Sequence, residues 1–583
     1  MQDVDPIEVP AAADLAGSHT PRRRVNRPAR VTGVEYALCS GILLLATVIR
    51  LPGFAAGDLW QDDAWITLPV RFGLRQALRM DVSTPLFVLV LRDWASIDLS
   101  STAFIQLLPF VTSLLSIAAM WWLVRTIGGR LWTRVIVTTL AAVNPTAVEY
   151  STRVKEYSVE LLLGTLLLIC LAKVIQRPTP RRSMILLALA VAACLTSGVL
   201  VIFVGGVLAA FVIQGVREGR QRDRYWIATV VGSAIAMGGS YLVFYDHIPP
   251  HLQHFWAPFE FGQSTSSPLA HTFGIIGNGI AHGFIGTPLQ VGPFPYTYFL
   301  SSNGWTVAIL TAVVVFALLI ALMAFSLWTT RSEVSAAGSA AIASTAVIAL
   351  AIFASITAHA PLGGGRTDLW WFPAAWCLLA IVIEAAFSRL APTVGTLSHA
   401  ARRAIAVGGA ILLVVVAVPY GIYFRAWYPG QDLRALFSQH QSQIRPTDWI
   451  YLSLYNTFAY ALYDLGPYHI VFDSGDVHTG KGWSVTIDKF DVQHYVVDDP
   501  GDICNHTQRF WWIGITDSIA NPSSYRLSGL AGNEIYAGSQ VNSNGPGFSQ
   551  FSDVLAAYNW QPSQIITGTG VDAVLFTHSG ACI

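Results

Sequence analysis

Residues 184–216 read MILLALAVAACLTSGVLVIFVGGVLAAFVIQGV, a run of 33 residues without a charged side chain. As one α-helix this run would extend about 50 Å, well beyond the roughly 30 Å hydrocarbon core of a bilayer. We therefore expect two membrane-spanning helices joined by a tight turn near Thr196, Ser197 and Gly198. A single very long helix is the alternative.

The composition of the whole chain agrees with a membrane protein. Of its 583 residues, 35 are Lys or Arg and 35 are Asp or Glu, so 12% are charged. That is about half of the roughly 25% that is usual in soluble proteins. Hydrophobic residues make up 53% of the chain, and the mean hydropathy is +0.50. This composition excludes collagen, a disulfide scaffold and a largely disordered chain, and the zero net charge argues against a nucleic-acid partner.

Apolar runs long enough to cross a bilayer recur along the chain, and we predict about eleven transmembrane helices. The predicted spans are 35–52, 103–124, 134–150, 157–172, 184–198, 199–216, 225–245, 304–328, 338–359, 369–388 and 404–424.

The distribution of Lys and Arg predicts the orientation of these spans, because cytoplasmic loops carry most of them. With the N-terminus inside, the basic clusters at 22–30, 125–134, 173–182, 217–224 and 389–403 all become cytoplasmic. One long helix at 184–216 would reverse every later loop, so the clusters favour two helices there. An odd number of spans then leaves the C-terminus outside the cell. We expect the membrane to be the plasma membrane of a bacterium.

The chain divides into three predicted parts. Residues 1–33 are rich in Pro, Ala and Arg and predict a disordered cytoplasmic tail without a signal peptide. Residues 34–424 form the transmembrane domain. Residues 425–583 predict an extracytoplasmic α/β domain with strands at 449–454, 468–472, 495–497 and 510–515. Its only cysteines are Cys504 and Cys582, and an oxidising compartment favours a disulfide between them.

The outer loop after the first span, residues 53–102, carries the most informative polar residues. It contains LWQDDAW at 59–65 and DVSTPLF at 81–87. Adjacent carboxylates at a membrane surface suggest chemistry at Asp62 and Asp63. The alternative is structural, because Asp63 could cap a helix predicted over 64–80.

These motifs resemble those of a known family. The order Trp-x-Asp-Asp-Ala-Trp followed by Asp-Val-Ser-Thr-Pro-Leu-Phe is similar to the "DEAW … D-x-H-P-P-L-Y" pattern of GT-C-type glycosyltransferases, specifically the protein O-mannosyltransferase and aminoarabinose-transferase-like group. YSTRVKEY at 150–157 resembles that group's "Y-S-Q-E-A-R-x-Y", which places Lys155 at its basic position and Tyr157 at its tyrosine. Arg366 is similar to the arginine that opens a late span. The resemblance covers residues 35–460, but Ser83 and Thr84 replace the family's histidine.

The resemblance implies transfer of a sugar from a polyprenyl-phosphate donor to an extracytoplasmic glycan, lipid or protein acceptor, with inversion at the anomeric carbon. Asp62 is the expected base and Asp63 the second catalytic carboxylate. Expected donor-phosphate ligands are Lys155, Arg366, Arg153 and Tyr157, and expected substrate-binding residues are Asp81, Thr84 and His254. No cofactor is required, although a divalent metal ion stays open, because His247, His251 and His254 are spaced either for a metal site or as a scattered surface cluster.

Other interpretations remain open at this stage. The chain could be a transporter or flippase of a lipid-linked sugar, which would require ionisable groups at mid-membrane depth. It could also be a glycan-binding membrane receptor. The loop 246–303 could cover the active site or only pack on the helices, and aromatic residues of the C-terminal domain could stack on sugars or form its core. Because every predicted catalytic residue precedes residue 425, we expect the C-terminal domain to be separable from the chemical step.

Overall fold

The computed structural model describes most of the chain up to residue 245 and parts of the remainder. The described residues are 32–78 except 56, 84–245, 320–321, 323–324, 327–328, 335–357, 360, 362, 366–394, 432–440, 442–445, 447–452, 459–460, 462–463, 465, 469–473, 494–497, 504, 507–514, 559–567 and 571–580. The predicted tail, most of the predicted span 304–328, all of the predicted span 404–424 and the loop 246–303 lie outside them.

The described residues form fourteen α-helices, which we number in chain order. They are α1 (Gly33–Arg50), α2 (Gln61–Thr67), α3 (Leu74–Ala77), α4 (Pro85–Ala95), α5 (Thr102–Thr126), α6 (Leu131–Val143), α7 (Pro145–Glu149), α8 (Tyr157–Gln176), α9 (Pro180–Thr196), α10 (Gly198–Arg217), α11 (Arg224–Ser240), α12 (Ala336–Ile356), α13 (Phe372–Val394) and α14 (Leu433–Gln439). A π-helical turn extends α11 through Tyr241–Tyr245, and a 3-10 turn, Arg366–Trp371, precedes α13.

Local sequence signals explain where many of these helices begin. A side-chain oxygen of the preceding residue accepts a hydrogen bond from an amide in the first turn, as is usual for Ser, Thr, Asn and Asp at this position. Six helices, α1, α5, α7, α9, α11 and α12, begin in this way, after Thr32, Ser101, Asn144, Thr179, Asp223 and Ser335.

Seven apolar stretches among the described residues are at least 18 residues long and apolar enough to cross a membrane. The chain is therefore a polytopic helical membrane protein. The uncharged run at 184–216 is divided as predicted, because α9 ends at Thr196, Ser197 has an extended backbone and α10 begins at Gly198. The total of eleven spans stays a prediction.

The first loop, residues 53–102, departs from the predicted single helix over 64–80. Instead α2 ends at Thr67, a 3-10 turn covers Leu68–Arg71, and α3 begins at Leu74. Pro69 is the second residue of the 3-10 turn, and a proline there removes an amide donor that a continuing α-helix would need. The prediction of one helix over 64–80 was wrong because Pro69 interrupts the helix.

The C-terminal part contains a six-stranded sheet with the order β3-β2-β1-β4-β6-β5. The strands are β1 (Trp449–Leu452), β2 (His469–Asp473), β3 (His494–Val497), β4 (Arg509–Gly514), β5 (Trp560–Thr567) and β6 (Asp572–His578). Strands β1 to β4 are parallel, and β6 pairs antiparallel with both β4 and β5. The four predicted strand segments correspond to β1 to β4. Cys504 is disulfide-bonded, and its predicted partner Cys582 lies outside the described residues.

The apolar side chains form two main cores. One fills the bundle of α5, α8, α9, α10, α12 and α13. The second is shared, because first-loop residues such as Leu59, Ile66 and Phe72 pack in one cluster with Leu436 and Trp511 of the C-terminal part. The expectation that the C-terminal domain is separable from the chemical step stays a prediction, but removing the domain would expose the apolar side of the first loop to water.

Candidate active site

The predicted acidic and basic residues meet at one end of the helix bundle. Helix α2 carries Asp62 and Asp63, and the turn before α8 carries Arg153 and Lys155. A distance of 3.5 Å separates Lys155 Nζ from Asp62 Oδ2, and 3.7 Å separates Arg153 NH1 from Asp63 Oδ2. Two segments far apart in sequence therefore form two adjacent ion pairs.

Asp63 is fixed more firmly than its neighbour. Its Oδ1 atom accepts a hydrogen bond from the backbone N–H of Val154 at 3.0 Å. Its own helix begins two residues earlier, at Gln61, so the side chain joins two segments of the chain and does not cap a helix. The alternative that Asp63 accepts a first-turn amide as a helix cap is therefore wrong, although Asp63 does lie in the first turn of α2, at the positive end of the helix dipole. Burial raises the pKa of Asp63 to about 6, although Arg153, Lys155 and the Val154 amide lower it.

The two carboxylates differ in their access to solvent. The Asp63 side chain is 1% exposed, whereas the side chains of Asp62 and Lys155 are each 11% exposed. A group that takes a proton from a substrate must come within hydrogen-bond distance of it. Asp62 is therefore better placed than Asp63 to contact a substrate hydroxyl.

Two half-buried tryptophans complete the ion pairs. The Arg153 guanidinium lies 5.1 Å from the ring centre of Trp60, and Lys155 Nζ lies 5.5 Å from that of Trp65. Contacts of this kind are attractive within about 6 Å. Each tryptophan thus helps to hold one cation beside one carboxylate. Both tryptophans belong to the motif at 59–65, and their position beside the two carboxylates was the signal for this role.

A further acidic residue, Glu160, lies in the first turn of α8 and has no role in the sequence analysis. It is 2% exposed, and its Oε1 accepts a hydrogen bond from Ser197 at the break between α9 and α10. Among the described residues, Oε2 has no hydrogen-bond partner. Its position within an apolar run was the signal that could have identified it.

The predicted substrate residue Thr84 also contacts the α9–α10 break. Its hydroxyl donates a hydrogen bond to the carbonyl of Thr196, which ends α9. Thr84 therefore joins the start of α4 to the same break that Glu160 contacts from α8. This hydrogen bond within the protein gives Thr84 a structural function in addition to the predicted one.

The remaining predicted site residues are only partly described. Tyr157 begins α8, and its ring packs edge-on against Tyr150 with centroids 5.2 Å apart. Arg366 begins the 3-10 turn, which packs against α7 and α8, but its side chain lies outside the described part. Asp81 and His254 lie outside the described residues as well.

For metal binding, the structure gives information only on the described residues. Within it, no three or more His, Cys, Asp and Glu residues cluster in a way that could hold a metal ion. The histidines at 247, 251 and 254 lie outside that part.

Comparisons with known proteins give distant structural similarities. No family model matches the chain, and neither does any curated protein. The structure of ArnT from Cupriavidus metallidurans in the apo state is 13% identical, with 93% of this chain and 98% of that chain covered and a TM-score of 0.47. The same protein bound to undecaprenyl phosphate is 12% identical, with 94% and 98% covered and a TM-score of 0.45.

A third similar structure is the Archaeoglobus fulgidus oligosaccharyltransferase in complex with zinc and sulfate. It is 13% identical, with 82% of this chain and 68% of that chain covered and a TM-score of 0.43. At these levels of similarity, the chemistry has to be argued from the residues of this chain.

Proposed function

We propose that the protein is a glycosyltransferase that moves a sugar from a polyprenyl-phosphate donor to an acceptor hydroxyl at the membrane surface. The observation that carries this proposal is the Asp62–Lys155 pair, in which a partly exposed carboxylate lies 3.5 Å from an ammonium group. A base for the acceptor and a cation for an anionic leaving group are the two groups that such a transfer needs.

Asp62 is the proposed base. It takes the proton of the acceptor hydroxyl while that oxygen forms a bond to the anomeric carbon, and the bond from this carbon to the phosphate oxygen breaks. Asp63 is buried and accepts the Val154 N–H, so we do not propose that it attacks the anomeric carbon as a nucleophile. A single displacement without a covalent intermediate inverts the anomeric carbon.

Lys155, Arg153 and Arg366 are the proposed phosphate ligands, with Tyr157 beside them. The leaving polyprenyl phosphate acquires negative charge where little water can reorganise around it, and fixed cations stabilise that charge. Both carboxylate contacts, 3.5 Å and 3.7 Å, exceed ordinary hydrogen-bond lengths. We propose that Lys155 and Arg153 turn from these carboxylates towards the phosphate when the donor binds.

Transport of a lipid-linked sugar is less well supported than transfer. A transporter would have ionisable groups at the membrane midplane. In the described spans, the buried charged side chains Arg50, Glu160 and Asp368 lie close to the ends of helices. This distribution favours chemistry at one membrane surface.

The proposal also includes the orientation of the chain in the membrane and its cellular location. An N-terminus inside, eleven spans and a C-terminal domain outside would place the site on the extracytoplasmic face of a bacterial plasma membrane, where a cell-envelope glycan, lipid or protein could serve as acceptor. The basic clusters between spans support this orientation. Labelling of single cysteines introduced at residues 98 and 220 with an impermeant reagent tests it, because residue 98 should react from outside and residue 220 only after permeabilisation.

Donor consumption tests the enzyme assignment. The purified full-length protein is reconstituted in liposomes and incubated with radiolabelled polyprenyl-phosphate mannose, glucose or arabinose, and released polyprenyl phosphate is measured. We expect release with at least one donor and none with Asp62→Asn. Movement of intact donor across the bilayer without release would identify a flippase and overturn the proposal.

A further inference from the structure

Asp58, four residues before Asp62, joins the first loop to the C-terminal part. The Asp58 side chain is 4% exposed. Its carboxylate accepts the backbone N–H of Arg434 at 2.8 Å and also a hydrogen bond from Nε of the Arg434 guanidinium. The backbone N–H of Asp58 in turn donates to Asp432 at 3.0 Å.

The Arg434 guanidinium contacts several residues at once. Its terminal nitrogens donate to the carbonyl of Ser100 and, at 2.7 Å, to the hydroxyl of Thr102. Its central carbon lies 4.2 Å from the ring centre of Tyr463, and the Tyr463 hydroxyl accepts the backbone N–H of Leu59 at 3.0 Å. Arg434 therefore contacts both ends of the first loop, near Asp58 and at the start of α5.

We propose that Arg434 is a positioning residue for the acidic pair, so that α14 of the C-terminal part belongs to the active site. This inference rests on the proposed function, because it assigns Arg434 the task of fixing Asp62. The path from one to the other is short: Asp58 and Leu59 are held by the C-terminal part, and Trp60 leads directly into α2. A shift of about 1 Å in a catalytic group can cost on the order of a hundredfold in rate.

The chain contains a closely matched control. Arg509 pairs with Asp448 at 2.7 Å inside the C-terminal part, and their side chains are 30% and 3% exposed. The side chains of Arg434 and Asp58 are 33% and 4% exposed. The two pairs are therefore buried to the same extent, but only the Arg434 pair contacts the first loop. A general loss of stability should affect both pairs alike, whereas a positioning role belongs to Arg434.

The test compares four full-length variants with the wild type: Arg434→Gln, Arg434→Lys, Arg509→Gln and the double variant Asp58→Asn with Arg434→Gln. Hydrogen–deuterium exchange of peptides covering residues 57–67 is measured without any substrate. Donor turnover is measured with whichever polyprenyl-phosphate sugar the wild type consumes, and kcat and KM are determined separately.

We expect Arg434→Gln to raise exchange in residues 57–67 at least about tenfold and to lower kcat about tenfold or more, with donor KM changed less than about twofold. Arg434→Lys keeps the positive charge but lacks the planar guanidinium with its several donors. Its exchange and its kcat should lie between those of the wild type and those of Arg434→Gln. Arg509→Gln should leave both quantities at wild-type values.

The double variant separates positioning from a misfolding effect, because it leaves no lone buried carboxylate. If it regains wild-type exchange and kcat, the Arg434→Gln defect came from the unpaired Asp58 charge, and the positioning role is overturned. Wild-type exchange and kcat in Arg434→Gln would also overturn it. A wild type that consumes no donor refutes only the proposed function, since the exchange measurement still decides whether Arg434 fixes this segment.

Discussion

The six residues from Asp58 to Asp63 have two ends that differ in how their charges are held. At the first end, Asp58 is joined to Arg434 by hydrogen bonds that include a 2.8 Å contact to the backbone. At the second end, Asp62 and Asp63 approach their cations only to 3.5 Å and 3.7 Å. The short contacts at Asp58 indicate a fixed support, and the 3.0 Å hydrogen bond from the Val154 N–H also fixes Asp63, whereas the longer Asp62–Lys155 contact belongs to the proposed reacting pair.

The two ends are distinguished by their hydrogen bonds and not by their burial, because the Arg434 side chain is 33% exposed whereas those of Asp62 and Lys155 are each 11% exposed. A pair held by several hydrogen bonds contributes order, which is the role proposed for Arg434. Each of the following experiments alters one end or one member of a pair.

Removal of the whole support should have the largest effect. A chain that ends at Phe424 lacks Leu433, Leu436 and Phe437, which pack in the shared core with Leu59. We expect complete loss of donor turnover even with a small acceptor, because the apolar side of the first loop would be exposed. Turnover by a truncated protein that elutes as a monodisperse species in detergent would show that the C-terminal part is separable after all.

Removal of the proposed base should come next. Asp62→Asn keeps the size of the side chain but cannot take a proton, so turnover should fall by roughly a hundredfold to ten-thousandfold. Asp93→Asn is the control, because Asp93 lies in the same loop and its side chain is 76% exposed. The measurement is release of polyprenyl phosphate at saturating donor. If Asp62→Asn keeps more than about a tenth of wild-type turnover, Asp62 is not the base that general base catalysis requires.

Removal of either cation should have an intermediate effect. Lys155→Ala and Arg153→Ala each delete a charge-assisted contact worth about 1.5 to 3 kcal/mol, so kcat/KM for the donor should fall about tenfold to a hundredfold. Arg92→Ala serves as the control, since Arg92 pairs with the exposed Asp93. Donor titration of the purified variants provides the measurement. Unchanged donor titrations would mean that both cations only stabilise the first loop.

The last prediction concerns stability and not turnover, namely the pH dependence of the free energy of unfolding at Asp63. Its pKa is raised from 3.8 to about 6 in the folded protein, so its contribution to stability is fully present below about pH 4 and is lost as the pH rises through 6. A shift of this size corresponds to about 3 kcal/mol. Asp63→Asn cannot titrate, although its amide oxygen can still accept the Val154 N–H.

The stability of Asp63→Asn relative to the wild type should therefore increase between pH 4 and pH 7. Apparent melting temperatures of both proteins in detergent, measured at several pH values, check this expectation. Asp93→Asn is the control, because the Asp93 side chain is 76% exposed. A melting-temperature difference that stays constant over this pH range would mean that Asp63 titrates at its ordinary pKa.

The sequence by itself determined the elements that depend on neighbouring residues. Apolar runs gave the described spans, including the division at Ser197, and short runs of β-forming residues gave strands β1 to β4. The motif at 59–65 and the motif at 150–157 also gave the acidic and basic residues that the structure brings together. Hydropathy and helix caps act over a few residues, so they can be read from the chain directly.

Only the tertiary structure decided which charged residues pair with each other and which of them are buried. It pairs Asp62 with Lys155 and Asp63 with Arg153, and it buries Asp63 against the Val154 amide. It also places Arg434, which follows the whole membrane domain in sequence, against Asp58. Burial and pairing depend on contacts between distant segments, and the energy of a charge depends on its surroundings rather than on its residue type. For that reason the sequence could name these residues but could not show which of them fix the site and which remain available to a substrate.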